Sequence, residues 1–233
     1  GGGTWTGGLG NDHFVVSNLN TTLLENPGEG ADTAWVSING YTVGSNIEVI
    51  YLGGTANQVT GGATGTQIVA NSLFASNLQG GGGDDVLWGS GFADTLDGGA
   101  GNDIFRGQGG ADTMVGGDGN DSYVFRAGWG IDTIEDTGGE DTLFLSSWND
   151  LSSIRLGLGS LKIFTDTPGE EIHIANFDPQ DPYGSGTIER FVLSNGRVYT
   201  YAELLDALPL EQKGTAGDDV VFGTPLKDWI SGG

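Results

Sequence analysis

Residues 80–124 read GGGGDDVLW, GSGFADTLD, GGAGNDIFR, GQGGADTMV and GGDGNDSYV, five nonapeptides joined without a gap. Their sixth positions are Asp85, Asp94, Asp103, Asp112 and Asp121; their eighth are Leu87, Leu96, Phe105, Met114 and Tyr123. A fixed Gly-Gly-x-Gly-x-Asp-x-apolar-x period marks a solenoid unit that buries its apolar face only against neighbouring copies. Six residues form a turn and three a short strand. Side chains alternate along a strand, so the eighth position faces inward and the seventh and ninth outward. The expected fold is all-β: a parallel β-roll or β-solenoid with a β-rich capping region.

The same text recurs outside this block. GGLGNDHFV (7–15) and PGEGADTAW (27–35) place Asp12 and Asp32 at sixth positions. Counting back by nines from Gly80 puts Ser76, Gln67 and Gln58 there, so the frame is expected to continue without carboxylates. After the insertion Phe125-Arg126, AGWGIDTIE (127–135) and DTGGEDTLF (136–144) supply Asp132 and Asp141. Residues 145–213 change character. Ser153–Thr165 and Glu170–Phe177 alternate as strands do. Ile188–Leu193, Asn195-Gly196 and Arg197–Tyr199 predict a hairpin, and Thr200 with Glu203 predicts a capping box before a short helix. GTAGDDVVF (214–222) and GTPLKDWIS (223–231) restart the array with Asp219 and Asp228. The expected organisation is 1–79, a partly metal-poor solenoid; 80–144, the main repeat block; 145–213, a β-rich region; and 214–233, the start of a further block. The opening glycines and the closing Gly232-Gly233 suggest a piece of a longer repetitive protein.

Glycine accounts for 45 of 233 residues, and its regular spacing marks turns that need positive φ. Eight basic residues face 31 acidic ones, a formal charge of −23. Nucleic acid and anionic membranes are therefore poor partners, and self-repulsion opposes a compact state unless cations bind. There is no cysteine, which removes disulfides and thiolate metal sites. No apolar run reaches the roughly 20 residues of a membrane span.

The repeat unit resembles the RTX, or haemolysin-type calcium-binding, family of secreted bacterial proteins. The resemblance implies that two units make one coil, so turns 18 residues apart stack about 4.8 Å apart. Asp85, Asp103 and Asp121 then share one edge; Asp94, Asp112 and, past the insertion, Asp132 share the other. Stacked carboxylates repel, and calcium suits them because it takes about 6–8 oxygen ligands in flexible geometry. Magnesium is stricter, and zinc prefers nitrogen and sulfur. Asx-turns alone would explain single aspartates but not seven in register.

In the family pattern the earlier turn gives the carbonyls of positions 2 and 4 with its aspartate, and the turn 18 residues on gives positions 1 and 3 with its own. One site then comprises Gly81, Gly83, Asp85, Gly98, Ala100 and Asp103, and the next Gly99, Gly101, Asp103, Gly116, Asp118 and Asp121. On the other edge Ser90, Phe92 and Asp94 face Gly107, Gly109 and Asp112, while Gln108, Gly110 and Asp112 face Ala127, Trp129 and Asp132. A fifth pairs Gly117, Gly119 and Asp121 with Asp136, Gly138 and Asp141. About five ions are thus expected in 80–144. Ser90 and Phe92 replace glycines, so that turn is expected to be strained and its site the weakest. Asp12 with Asp32 is a further candidate pair, and the sites of Asp219 and Asp228 are expected to be incomplete.

Outward positions of odd repeats (Val86, Trp88, Ile104, Arg106, Ser122, Val124) are largely apolar, so residues 145–213 are expected to cover that sheet. Outward positions of even repeats (Thr95, Asp97, Thr113, Val115) are mostly polar. No HExxH or GxSxG motif occurs, and His173, between Ile172 and Ile174, is expected to face solvent. The expected function is non-enzymatic: a calcium-folded scaffold, secreted to the extracellular space or cell surface by type I secretion machinery, as the resemblance implies. The alternative is an adhesin or carbohydrate-binding appendage with a cell-surface or glycan partner. Trp5, Trp35, Trp129, Trp148 and Trp229 could stack on sugars, although such residues more often pack on neighbours.

Overall fold

The computed structural model describes residues 2–157, 160–165, 167–184, 187–215 and 223–231. Two long sheets run side by side along a parallel solenoid, joined by the glycine turns. In the repeat block, Val86–Trp88, Ile104–Arg106, Ser122–Phe125 and Thr142–Leu145 stack in the first sheet. Asn77–Gly82, Thr95–Ala100, Thr113–Asp118 and Ile131–Glu135 stack in the second.

The partners show the coil length directly. Val86 pairs with Ile104, Ile104 with Ser122, and Thr95 with Thr113, each 18 residues on. The Phe125-Arg126 insertion lengthens the step to 20, pairing Thr113 with Thr133 and Ser122 with Thr142. Second-sheet strands are longer than three residues because they run into the next turn, as Gly99 pairing with Gly117 shows. All the eighth-position side chains, from Leu87 to Leu143, are fully buried. Phe105 and Tyr123 stack at 4.9 Å between centroids.

The solenoid extends through the N-terminal part, with one correction to the frame. Val86 pairs with Gln67, and Asn77 with Gln58, at steps of 19. The position equivalent to Asp85 is therefore Thr66 rather than Gln67, and the one equivalent to Ser76 is Asn57 rather than Gln58. The slip turns Ile68 and Val59 into the core, which a strict nine-residue count would not.

The described residues of 145–213 do not lie over the first sheet. They lengthen both sheets at their far end. Glu171–Ile174 pairs in parallel with Ile131–Glu135, and Leu161–Thr165 and Ile154–Gly157 then continue antiparallel. Arg190–Leu193 follows Thr142–Leu145 and turns back through Gly196 (φ 82°) into Val198–Thr200. Among the described residues, the expected cover over Trp88 and Ile104 is absent, because this region finds its partners by backbone pairing at the strand edges. Trp88 instead lies under the Arg106 guanidinium, 4.6 Å from the ring centroid. Of the tryptophans weighed for sugar stacking, Trp5 and Trp148 pack on the core, while Trp35 and Trp229 are exposed. The helix Tyr201–Ala207 starts at the expected capping box of Thr200 and Glu203. His173 is half-buried, its Nε2 2.8 Å from Glu171 Oε2.

Candidate metal centre

The Asp-x-apolar order puts each aspartate at the end of a turn, immediately before its inward side chain. On the first edge the column through successive coils is Asp12, Asp32, Glu48, Thr66, Asp85, Asp103, Asp121, Asp141 and Glu189. On the second it is Asn57, Ser76, Asp94, Asp112 and Asp132. Each carboxylate reaches back one coil. The amide N–H groups of Thr66, Asp85, Asp103 and Asp121 each donate, at 2.7 Å, to Oδ1 of the next aspartate along the edge. Ser76, Asp94 and Asp112 do the same on the other edge at 2.6–2.9 Å.

Glu48 and Glu189 continue the pattern, accepting from the amides of Asp32 at 2.6 Å and Asp141 at 2.7 Å. Sequence reasoning missed both. The signal was present: EVIYL and ERFVL repeat the acid-x-apolar-x-apolar text of DTLFL. Asp12 donates to Asp32 Oδ1 at 2.8 Å, so the structure brings that pair together.

These hydrogen bonds use only one oxygen. Oδ2 of Asp85, Asp103, Asp112 and Asp121 is buried with no protein partner, as is Oδ2 of Asp12. The seven sixth-position aspartates, Asp85, Asp94, Asp103, Asp112, Asp121, Asp132 and Asp141, are between 0 and 2% exposed, and a buried unpaired charge is costly. Burial is the largest cause that lifts the carboxyls of Asp85, Asp112, Asp121, Asp132 and Asp141 to about 7 and that of Asp103 to about 6. Neighbouring carboxylates add to it; Asp103 does so for Asp85. An array of buried acceptor oxygens without donors fits a hard divalent cation.

The turns are built around those oxygens. Gly81, Gly83, Gly99, Gly101, Gly117 and Gly119 all have positive φ, and Gln108 adopts φ 71° at the equivalent place. The carbonyl oxygens of Gly81, Gly83, Gly99 and Gly101 stand against the α-carbons of Gly99, Gly101, Gly117 and Gly119, leaving no room for a Cβ. First-position glycines are required for another reason. A Cβ on Gly98 would overlap Asp103 Oδ2 and lie 2.8 Å from Phe105 Cζ. Gly98→Ala should therefore cost about 1–3 kcal/mol, the usual penalty of overpacking. Gly91→Ala, with nothing within 4 Å of its Cβ, should be near neutral. Thermal unfolding of the two variants in saturating calcium checks this; equal melting temperatures would refute it.

The Ser90 turn is not strained. Neither Ser90 nor Phe92 has positive φ. The Ser90 amide and hydroxyl donate to Asp94 Oδ2 at 2.5 and 3.0 Å, and the Phe92 amide donates to that hydroxyl at 3.2 Å. In the Asp228 turn the Thr224 amide donates to Oδ2 at 2.7 Å and its hydroxyl to Oδ1 at 2.8 Å, and the Leu226 amide donates to that hydroxyl at 3.2 Å. In both turns protein donors occupy Oδ2, the atom left unpartnered in Asp85, Asp103, Asp112 and Asp121. Asp219 lies outside the described residues.

The model of the RTX calcium-binding nonapeptide repeat matches the chain four times, over residues 74–91, 88–123, 126–147 and 213–233. Asp85 through Asp141 fall within the first three. No curated protein matches the chain.

Proposed function

Because the chain belongs to the RTX calcium-binding nonapeptide-repeat family, we propose that residues 80–144 form a calcium-dependent folding unit holding about five ions between stacked turns. The observation that carries this is the column of buried aspartates whose Oδ2 atoms find no protein donor. The aspartates and turn carbonyls assigned above would hold the ions, and bound calcium would supply the compensating positive charge. The chain's own groups do the rest: the amides orient each carboxylate through Oδ1, and the glycines keep the turns close.

Residues 1–79 extend the solenoid with fewer ions, 145–213 seal its far end, and 214–233 open another block. The physiological reading follows from linkage, since a ligand that binds only the folded chain stabilises it. In calcium-poor cytosol the repulsion keeps the chain unfolded and exportable through type I machinery. Outside the cell, affinities of about 10⁻⁴–10⁻³ M, usual for extracellular modules, would let it fold as a scaffold. The reading assigns no catalysis.

A calcium titration followed by far-ultraviolet circular dichroism, with magnesium in parallel, tests it. The β-sheet signal should rise with calcium in the millimolar range and respond weakly to magnesium. A spectrum unchanged by complete chelation at neutral pH would sink the proposal.

A further inference from the structure

Resting on that calcium reading, we propose that Asp136 gives its own carboxylate, and not only its backbone carbonyl, to the ion between Asp121 and Asp141, making this the tightest site of the array. Asp121, Asp136 and Asp141 each offer a carboxylate oxygen within 4.8 Å of the other two, and all three residues are buried. Oδ2 of Asp121 has no partner. A Cβ placed on Gly116 would strike both that atom and Asp136 Oδ2, so the two oxygens converge over one α-carbon.

Asp136 is held in this position from both ends. Its Oδ1 accepts the Gly138 amide at 3.2 Å, and its Oδ2 accepts the Tyr123 hydroxyl. Tyr123 is fully buried and stacked on Phe105, which leaves the phenol little freedom. Tyr123 is therefore a positioning residue.

The first position of the other units that follow a site is Gly98, Gly107, Gly116 or Ala127, none with a side-chain oxygen. Of the five proposed sites, the one between Asp121 and Asp141 alone gains a third carboxylate there. Asp103 must serve the ions on both of its sides, whereas Asp136 serves this one. Affinity in oxygen-ligated calcium sites rises with the count of charged ligands.

The test is a competition titration of the full chain against a chromophoric calcium chelator, with wild type, Asp136→Asn and Tyr123→Phe. In wild type one ion should bind at least about tenfold more tightly than the rest. Asp136→Asn should abolish that tight step and leave the weaker ones in place. Tyr123→Phe should keep the number of ions but weaken the same step severalfold, with an unchanged circular dichroism spectrum at saturating calcium. A tight step that survives Asp136→Asn, or wild-type sites of uniform affinity, would overturn the inference while leaving the calcium reading intact. Should Asp136→Asn not fold, an unaltered tight step in Tyr123→Phe would overturn it equally. A wild-type chain that takes up no calcium would instead overturn the calcium reading itself.

Discussion

In excess chelator, the chain should hold its β-sheet spectrum at pH 5.5 and lose it at pH 8, while millimolar calcium should keep it folded at both. The direction follows from the aspartates. Burial, reinforced by neighbouring carboxylates, raises Asp85, Asp112, Asp121, Asp132 and Asp141 to about 7 in the folded chain, whereas an unfolded aspartate titrates near about 3.9. Between those values the folded state binds protons that the unfolded state releases. Stability without calcium is therefore greatest below about pH 4 and declines as pH rises through about 7.

The magnitudes decide the outcome. One such shift costs about 4 kcal/mol at neutral pH. The inward side chain of the same nonapeptide returns about 1.5–3 kcal/mol by burial. Several units together would exhaust the roughly 5–15 kcal/mol that holds a domain folded. A proton relieves the same cost as a divalent cation, and at pH 5.5 it recovers about 2 of the roughly 4 kcal/mol per aspartate, leaving a remainder that side-chain burial can offset, so mild acid should stand in for calcium. The chosen pH stays clear of the isoelectric point near 4.1. A chelated chain equally folded at both pH values, or more folded at pH 8, would contradict the argument.

Much of this was legible because the repeat carries its own register. Once Asp85 and Asp103 are set 18 residues apart, the inward Leu87 and Phe105 and the two edges follow from alternation alone. The slip at Thr66 was not legible. Thr66 and Gln67 are both polar, and no aspartate marks which one ends the turn; what decides is that Ile68 rather than Val69 reaches the core. Glu48 and Glu189 escaped because a glutamate does the work of an aspartate at spacings of 16 and 48 residues. Residues 145–213 were expected as a cover because the outward column of the first sheet is largely apolar. Open strand edges offer unpaired N–H and C=O groups, and the region satisfies those first. The Ser90 turn reads in sequence as a defective glycine turn. Its hydroxyl makes it a different turn, closed by protein donors.

That difference should appear in a comparison of Asp103→Ala with Asp94→Ala. Asp103 stands in the middle of the first edge. Its Oδ1 caps the Asp85 amide at 2.7 Å, its Oδ2 is unpartnered, and its own amide donates to Asp121. Its removal orphans one buried amide, which costs about 1–3 kcal/mol, and strips a carboxylate from the ions proposed on either side. Asp94 likewise caps a buried amide, that of Ser76 at 2.6 Å. Its second oxygen, however, already accepts two donors, the Ser90 amide and hydroxyl, which fill both of its lone pairs, so it has less capacity left for an ion. Both variants should therefore lose a turn cap, but Asp103→Ala should also shed about two ions where Asp94→Ala sheds at most one. The midpoint of calcium-induced folding should move severalfold further for Asp103→Ala. In chelator at pH 5.5, where the chain is expected to fold without an ion, most of the difference should disappear, because each variant then lacks one buried acid and the cap it provided. Equal midpoints in calcium would show that an aspartate within the stack serves no more than one site, and the shared-ligand arrangement along the edge would have to be given up.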